Sequence, residues 1–298
     1  MNAETDVKAQ VRAFYDSVGW RQVGEGLYQN ARYEDLRPVS REYIHRCHVR
    51  VGKYLPLSGR FLLDAGSGPI QYPEYLGYSR GFARRVCLDL SRAALLEARE
   101  RIGDHGLFVA GDIAALPFRD ATFDGLVSLH TVHHLPAGEH RRAFLEFLRV
   151  LLPGGKAVVV TSWGERSALM RAMAGPIALA FWMQRLYRQA RRRDEAQAIG
   201  ARAPAAREPA ATFTFKHDYR WVRRELRDLP GLEIRVWRSV STAFLRAFVH
   251  RRFGGELFLR AIFALEERMP RLLGRIGQYP AILFCKPGGR GAAEGRAV

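Results

Sequence analysis

Cysteine is scarce in this chain. Its 298 residues hold three, Cys47, Cys87 and Cys285, with no CxxC pair, which argues against a disulfide framework and fits a reduced, cytoplasmic protein. Long apolar runs are missing too: none approaches the roughly 20 residues that a membrane-spanning helix requires. The first residues, Met1-Asn2-Ala3-Glu4-Thr5-Asp6, lack the basic start and apolar stretch of a signal peptide. Acidic residues are outnumbered, 30 against 47 lysines and arginines, which leaves a formal net charge of +17. That excess favours an anionic partner, whether nucleic acid, an acidic membrane surface or an anionic substrate. A solvated basic surface accounts for it equally well.

What is present is an alternation. From Phe61 to Trp163 short apolar runs alternate with helical patterns, the signature of a parallel sheet wrapped by helices. The pattern predicts strands at 61–64, 85–89, 107–110, 125–129 and 157–161. Val158-Val159-Val160 shows no polar alternation, as befits a strand covered on both faces. Ser91 is placed to cap a helix carrying Leu95, Ala98 and Ile102 on one face, with Gly103 ending it in a left-handed turn. Phe144, Phe147, Leu148 and Leu151 repeat at helical spacing, and Pro153-Gly154-Gly155 is expected to stop that helix.

Residues 1–59 read as a helical N-terminal cap, with Val7, Val11, Phe14 and Val18 on one stripe and a second helix near 41–55. Such a segment is placed to cover a site. Residues 60–163 form the core. An apolar and basic insertion with a flexible linker (191–211) fills 164–211. The core resumes over 212–287, with strands at 233–237 and 281–285 and a helical insertion at 240–276. Residues 288–298 read as a disordered tail.

A ligand on an open parallel sheet sits beyond the carboxyl ends of the strands, where strand order reverses. Asp64, Asp89 and Asp112 fall at the ends of the first three predicted strands, 25 and 23 residues apart, about one strand-helix unit each. Gly66 and Gly68 supply a turn without side chains, which lets backbone amides approach the carboxylate end of a small molecule. Asp89 offers a two-oxygen fork to a pair of ribose hydroxyls. Asp112 can accept from an adenine amine, with the amide of Ile113 facing a ring nitrogen. Helix capping explains any one of these acids alone. Their order across three successive units describes an adenosine with an amino-acid tail.

The stretches Leu63-Asp64-Ala65-Gly66-Ser67-Gly68, Gly111-Asp112-Ile113-Ala114-Ala115-Leu116-Pro117-Phe118, Phe123-Asp124-Gly125-Leu126-Val127-Ser128 and Arg149-Val150-Leu151-Leu152-Pro153-Gly154-Gly155 resemble the class I (Rossmann-like) S-adenosylmethionine-dependent methyltransferases. The likeness is greatest to the branch with quinone-biosynthesis C-methyltransferases. The resemblance implies an α/β, doubly wound, mostly parallel seven-stranded sheet with a reversed last strand. It also implies S-adenosylmethionine as cofactor, held by Asp64, Gly66, Gly68, Asp89 and Asp112. One position departs: where the family usually has a third glycine, two residues after Gly68, this chain has Ile70 preceded by Pro69. Gln71, Tyr72 and Tyr75 beyond it either line the site or face outward from a helix. A nicotinamide-dependent oxidoreductase is disfavoured, because Gly66-Ser67-Gly68-Pro69-Ile70-Gln71 lacks the last glycine of GxGxxG.

His130-Thr131-Val132-His133-His134 follows the fourth predicted strand, where members of that family contact cofactor and substrate. His130 is expected to line the cofactor site. His133 or His134 is the candidate base for a phenol, hydroxyl or activated carbon, and the alternative is that the pair only organises a helix start. No cysteine or carboxylate set accompanies His130 and His134, so no metal is expected. Residues 172–183 are apolar, include Trp182 and are bracketed by Arg166, Arg171, Arg185 and Arg188. Residues 240–273 set Phe244, Phe248, Phe258 and Phe263 among Arg246, Arg251, Arg252 and Arg260. The two insertions predict a lid over a hydrophobic pocket, a peripheral surface for an anionic membrane, or both. The expected function is methylation of a small or lipid-like acceptor, quinones included. The alternatives are nucleic-acid methylation, without an Asn-Pro-Pro-Tyr motif or an RNA-binding module to support it, and a non-catalytic S-adenosylmethionine-binding protein.

Overall fold

Along each central strand neighbouring side chains enter opposite apolar clusters. Leu62, Val127, Val158 and Val160 belong to one, and Leu63, Leu126, Ala157 and Val159 to the other. A strand has a side-chain period of two, so burial on both faces requires apolar residues at every position. The computed structural model describes residues 3–20, 22–24, 27–28, 34–196 and 212–288. Its main sheet comprises β1 (Gly59–Ala65), β2 (Phe82–Asp89), β3 (Gly106–Ala110), β4 (Phe123–Leu129), β5 (Leu151–Val160), β6 (Glu233–Arg238) and β7 (Tyr279–Cys285). The strand order is β3-β2-β1-β4-β5-β7-β6. Strands β1 to β5 are parallel, and β7 runs antiparallel to both β5 and β6. This is the doubly wound α/β sheet with a reversed last strand that the motifs imply. The chain builds outward from β1 through β2 to β3, then crosses back to β4, so the crevice above β1 and β4 is the switch point.

The helices are α1 (Ala3–Phe14), α2 (Pro38–Arg50), α3 (Arg92–Ile102), α4 (His140–Val150), α5 (Ala168–Ala172), α6 (Ala174–Ala196), α7 (Tyr219–Glu225), α8 (Thr242–Phe248), α9 (Gly255–Arg268) and α10 (Pro270–Ile276). Ser91 caps α3 as expected, its Oγ accepting from the Ala94 amide at 3.1 Å. Gly103 ends that helix with φ +61° but ψ −143°, a conformation open to glycine yet distinct from the left-handed helical turn. Helix α4 buries Ala143, Phe144, Phe147 and Val150 against the sheet. It ends at Val150, before Pro153-Gly154-Gly155, which instead lies within β5. There the pairing with β4 jumps from Phe123↔Leu151 to Gly125↔Lys156, a bulge that absorbs the extra residues. Helix α6 continues through residue 196, across the first six residues of the expected linker. The remainder, 197–211, and the tail from 289 lie outside the described residues.

Candidate functional site

A cavity of about 430 Å³ opens at the carboxyl ends of β1, β2 and β4. Its floor is the turn after β1. The amides of Gly66 and Ser67 donate to the Leu88 carbonyl at 2.7 and 3.1 Å, and the Gly68 amide donates to Asp89 Oδ2 at 2.9 Å. The donors expected to approach a ligand therefore tie the turn to β2. Glycine is required here for close approach: a Cβ on Gly66 would lie 2.1 Å from Thr131 Cγ2, and one on Gly68 2.9 Å from the Trp20 ring. Both glycines have positive φ, and so does Ile70, at +56°. Ile70 is fully buried in the first cluster. A β-branched residue in this region carries about 1–2 kcal/mol of backbone strain, so the position the family fills with glycine keeps the glycine conformation, held by packing.

The three acids have different surroundings. Asp89 lines the cavity, and its oxygens accept from the Gly68 and Ser91 amides at 2.9 Å each. One further acceptor direction is left on each oxygen. Burial pushes its carboxyl up to about 6, against the opposing pull of those two amides. Asp64 is 4% exposed and paired with the buried Arg85, Nη2 to Oδ2 at 2.5 Å. Arg85 Nη1 also donates to the Tyr75 carbonyl. Asp64 thus ties the end of β1 to the middle of β2 while bordering the cavity. Asp112 accepts from the Ala114 amide at 2.8 Å and pairs with Lys8 Nζ at 2.5 Å, and its neighbours Gly111 and Ile113 provide the cavity wall.

Lys8 belongs to α1, which closes over the strand ends. The same ammonium pairs with Glu139, Asp16 accepts from Ser91 Oγ, and Tyr15 stacks on Trp20 at 4.9 Å between centroids. The Tyr15 hydroxyl meets His134 Nε2 at 2.7 Å, while His134 Nδ1 faces the Phe213 carbonyl at 2.8 Å. A carbonyl only accepts, so Nδ1 carries the proton and Nε2 accepts from Tyr15. Burial holds His134 down to about 4 and His130 to about 3, and pushes His133 well below the ordinary imidazole range. All three are neutral near pH 7. Among the described residues His133 Nδ1 is buried without a hydrogen-bond partner, and its backbone carbonyl accepts from the Phe215 amide at 2.7 Å. His130 packs edge-on to Trp237 and Tyr279.

Gln71, Tyr72 and Tyr75 line the same cavity, as do Arg238, Gln278 and Tyr279 from β6, β7 and the residue preceding β7. Arg238 is buried and paired with Glu34 at 2.6 Å. Thr212, Thr214 and Lys216 complete the wall. Among the described residues no hydrogen bond or ion pair holds the Lys216 ammonium, and burial lowers its pKa. Sequence reasoning missed Lys8, Tyr15, Trp20, Lys216, Arg238 and Gln278. For Lys216 a signal existed: Thr212, Thr214 and Lys216 alternate with Phe213, Phe215 and His217, which sets them on one side of an extended chain.

Residues 63–159 match the family model described as methyltransferase domain. Phthiotriol/phenolphthiotriol dimycocerosates methyltransferase 1 of Mycobacterium ulcerans is 36% identical over 140 residues, 43% of this chain and 50% of that protein. The ubiquinone/menaquinone biosynthesis C-methyltransferase UbiE of Roseobacter denitrificans is 31% identical over 147 residues, 46% of this chain and 57% of that protein. The chain thus spans little more than half the length of these curated relatives. Among solved structures, geranyl diphosphate C-methyltransferase from Streptomyces coelicolor shares the fold, with a TM-score of 0.51 at 17% identity over 94% of this chain and 98% of that one.

Proposed function

We propose that this chain, class I in fold and carrying a methyltransferase domain, is an S-adenosylmethionine-dependent methyltransferase whose acceptor is a hydrophobic molecule bearing an acidic oxygen. The cofactor end of the cavity fits such a ligand: Asp89 keeps one acceptor direction per oxygen for a ribose diol, Ile113 gives an apolar wall, and the Gly66–Gly68 turn admits no side chain. When bound, S-adenosylmethionine supplies a methyl group made electrophilic by its sulfonium. The protein's part is to hold the acceptor in line and exclude water, and orientation of this kind contributes on the order of 7–11 kcal/mol.

The observation that carries the acceptor class is Lys216 on the cavity wall, whose ammonium no ion pair or hydrogen bond holds among the described residues, with Glu165 acting on it only through its charge. A cation beside a sulfonium is electrostatically costly unless the acceptor enters as an anion. An oxyanion, or the carbon of its conjugated enolate, is attracted by both cations and neutralises one of the two charges, and methyl transfer to it cancels charge, which a low-dielectric cavity favours. The neutral state of His130, His133 and His134 fits the same balance, since none adds positive charge near the sulfonium. His134, with both nitrogens engaged, positions Tyr15 and Phe213. His133, whose Nδ1 has no partner among the described residues, is a neutral imidazole placed to take the proton that the acceptor sheds as it becomes that anion. The relatives named for phthiotriol compounds and for ubiquinone/menaquinone biosynthesis support a lipid-like or quinone acceptor.

The test is incubation of the protein with methyl-tritiated S-adenosylmethionine and extracts of lipids and quinols, of RNA, and of water-soluble metabolites. Label in the organic phase is expected. Label confined to RNA, or cofactor binding without transfer to any extract, would overturn the reading.

A further inference from the structure

We infer that the outer face of α6 and the start of α9 form one docking surface for an anionic lipid bilayer. Between residues 173 and 189 only Met173, Ile177, Ala180 and Gln184 are not exposed. That spacing of four, three and four is a single narrow stripe, so the helix touches the body along one line. The rest of its surface presents Leu179, Trp182 (57% exposed), Met183 and Leu186 to water. An amphipathic helix in a soluble protein normally does the opposite.

A second apolar group lies alongside. Gln184 donates from Nε2 to the carbonyl of Ala247 and lies 3.5 Å from His250 Nε2, and the His250 ring packs edge-on to Phe253. Phe253 is 84% exposed, and Leu257, one helical turn further, is 72% exposed. The turn that carries Phe253 thus packs on the inner stripe of α6 through Gln184 and His250, which sets the two exposed groups on neighbouring elements. Isolated exposed apolar residues are ordinary, whereas a contiguous group of this kind marks an interaction surface.

Charge decides the occupant. Residues 167–193 contain six arginines and no carboxylate, and residues 239–257 add three arginines against one carboxylate, Glu256. Aromatic and aliphatic side chains inserted at the acyl boundary, with arginines at the level of lipid phosphates, describe an interfacial helix. No helix among the described residues is long and apolar enough to cross a membrane, so this contact lies in the plane of one leaflet. The inference is independent of the acceptor proposed above.

The test is flotation of the full chain, at low salt, with phosphatidylcholine vesicles containing phosphatidylglycerol and with phosphatidylcholine alone. Binding to the anionic vesicles is expected, with about thirtyfold loss in Arg185→Gln/Arg188→Gln and abolition in Trp182→Asp/Leu257→Asp. Calorimetric affinity for S-adenosylmethionine, unchanged in both variants, verifies that they fold. A blue shift of tryptophan emission on adding anionic vesicles, lost in Trp182→Phe, is a second expected result that does not depend on a disruptive variant. Absence of flotation overturns the inference, as does flotation that these variants leave untouched. Self-association that Trp182→Asp/Leu257→Asp removes, without vesicle binding, also overturns it and assigns the face to a second copy of the chain.

Discussion

Replacing Ile70 with alanine and with glycine separates the two forces acting at the turn below the cavity. Ile70 is fully buried and holds φ +56°, so its side chain stabilises the fold while its backbone strains it. Either substitution removes the packed side chain, at about 2–5 kcal/mol for an isoleucine truncated in a core. That range is too wide to be diagnostic, but the difference between the two variants is not. At ordinary backbone angles alanine is more stable than glycine by about 0.5–1 kcal/mol, because glycine loses more freedom on folding. At positive φ alanine retains about 1–2 kcal/mol of strain that glycine does not feel. Ile70→Gly should therefore be the more stable of the two by about 0.5–1 kcal/mol, with both below the parent. Urea unfolding of the three proteins, at equal m-values, measures it. If Ile70→Ala is as stable as Ile70→Gly or more so, the backbone at this position is not strained, and packing does not explain how isoleucine replaces glycine.

Asp89, raised to about 6 by burial from 3.8, binds a proton more tightly in the fold than in the unfolded chain. Its contribution to ligand-free stability is full below 3.8 and is lost as the pH rises through about 6. Affinity for S-adenosylmethionine should run the other way, falling about tenfold per pH unit below 6 as the fork protonates. Calorimetry across that window checks this, and a flat profile refutes it. Arg85→Met leaves Asp64 buried without its partner and should destabilise by about 3–5 kcal/mol, with part of the loss recovered in Arg85→Met/Asp64→Asn. Urea unfolding reads both, and no recovery in the double variant counts against the pairing. Lys216→Met should lower kcat and move the acidic limb of the pH–rate profile upward, because the acceptor then ionises without a neighbouring ammonium. Lys216→Arg should keep the limb in place, and an unmoved limb in Lys216→Met removes the oxyanion role. Since α1 docks on Asp112 through Lys8, and the turn after it on Ser91 and His134 through Asp16 and Tyr15, cofactor binding and docking of this segment should stabilise each other. Slower amide exchange in α1 with cofactor present is the measurement, and unchanged exchange denies the coupling.

The strands were legible because a sheet buried on both faces writes uninterrupted apolar runs such as Val158-Val159-Val160. The side of the sheet was legible because parallel strands all place their carboxyl ends on one side: Asp64 and Asp89 border the cavity there, whereas Asp112 is represented by its neighbours Gly111 and Ile113. The individual environments of the three acids were not. Asp64 meets Arg85 across a register set by β1 and β2, and Lys8 reaches Asp112 from 104 residues away. No local pattern contains either pair. Pro153-Gly154-Gly155 misled for another reason: a helix stop and a strand bulge call for the same residue types, and only the pairing partner distinguishes them.

The same limit applies to the histidines. Their sequence position predicts contact with the cavity, and His130, His133 and His134 all line it. Whether an imidazole acts as a base depends on what its nitrogens already hold, and that is set by chains arriving from both ends of the sequence. Tyr15 from the N-terminal segment and the Phe213 carbonyl after α6 occupy His134 and orient it, while burial keeps it neutral. His133 differs by one residue and by one unsatisfied nitrogen. The chemical difference between two adjacent, identical side chains thus lies in the closure of the cavity by segments outside the motif-bearing core.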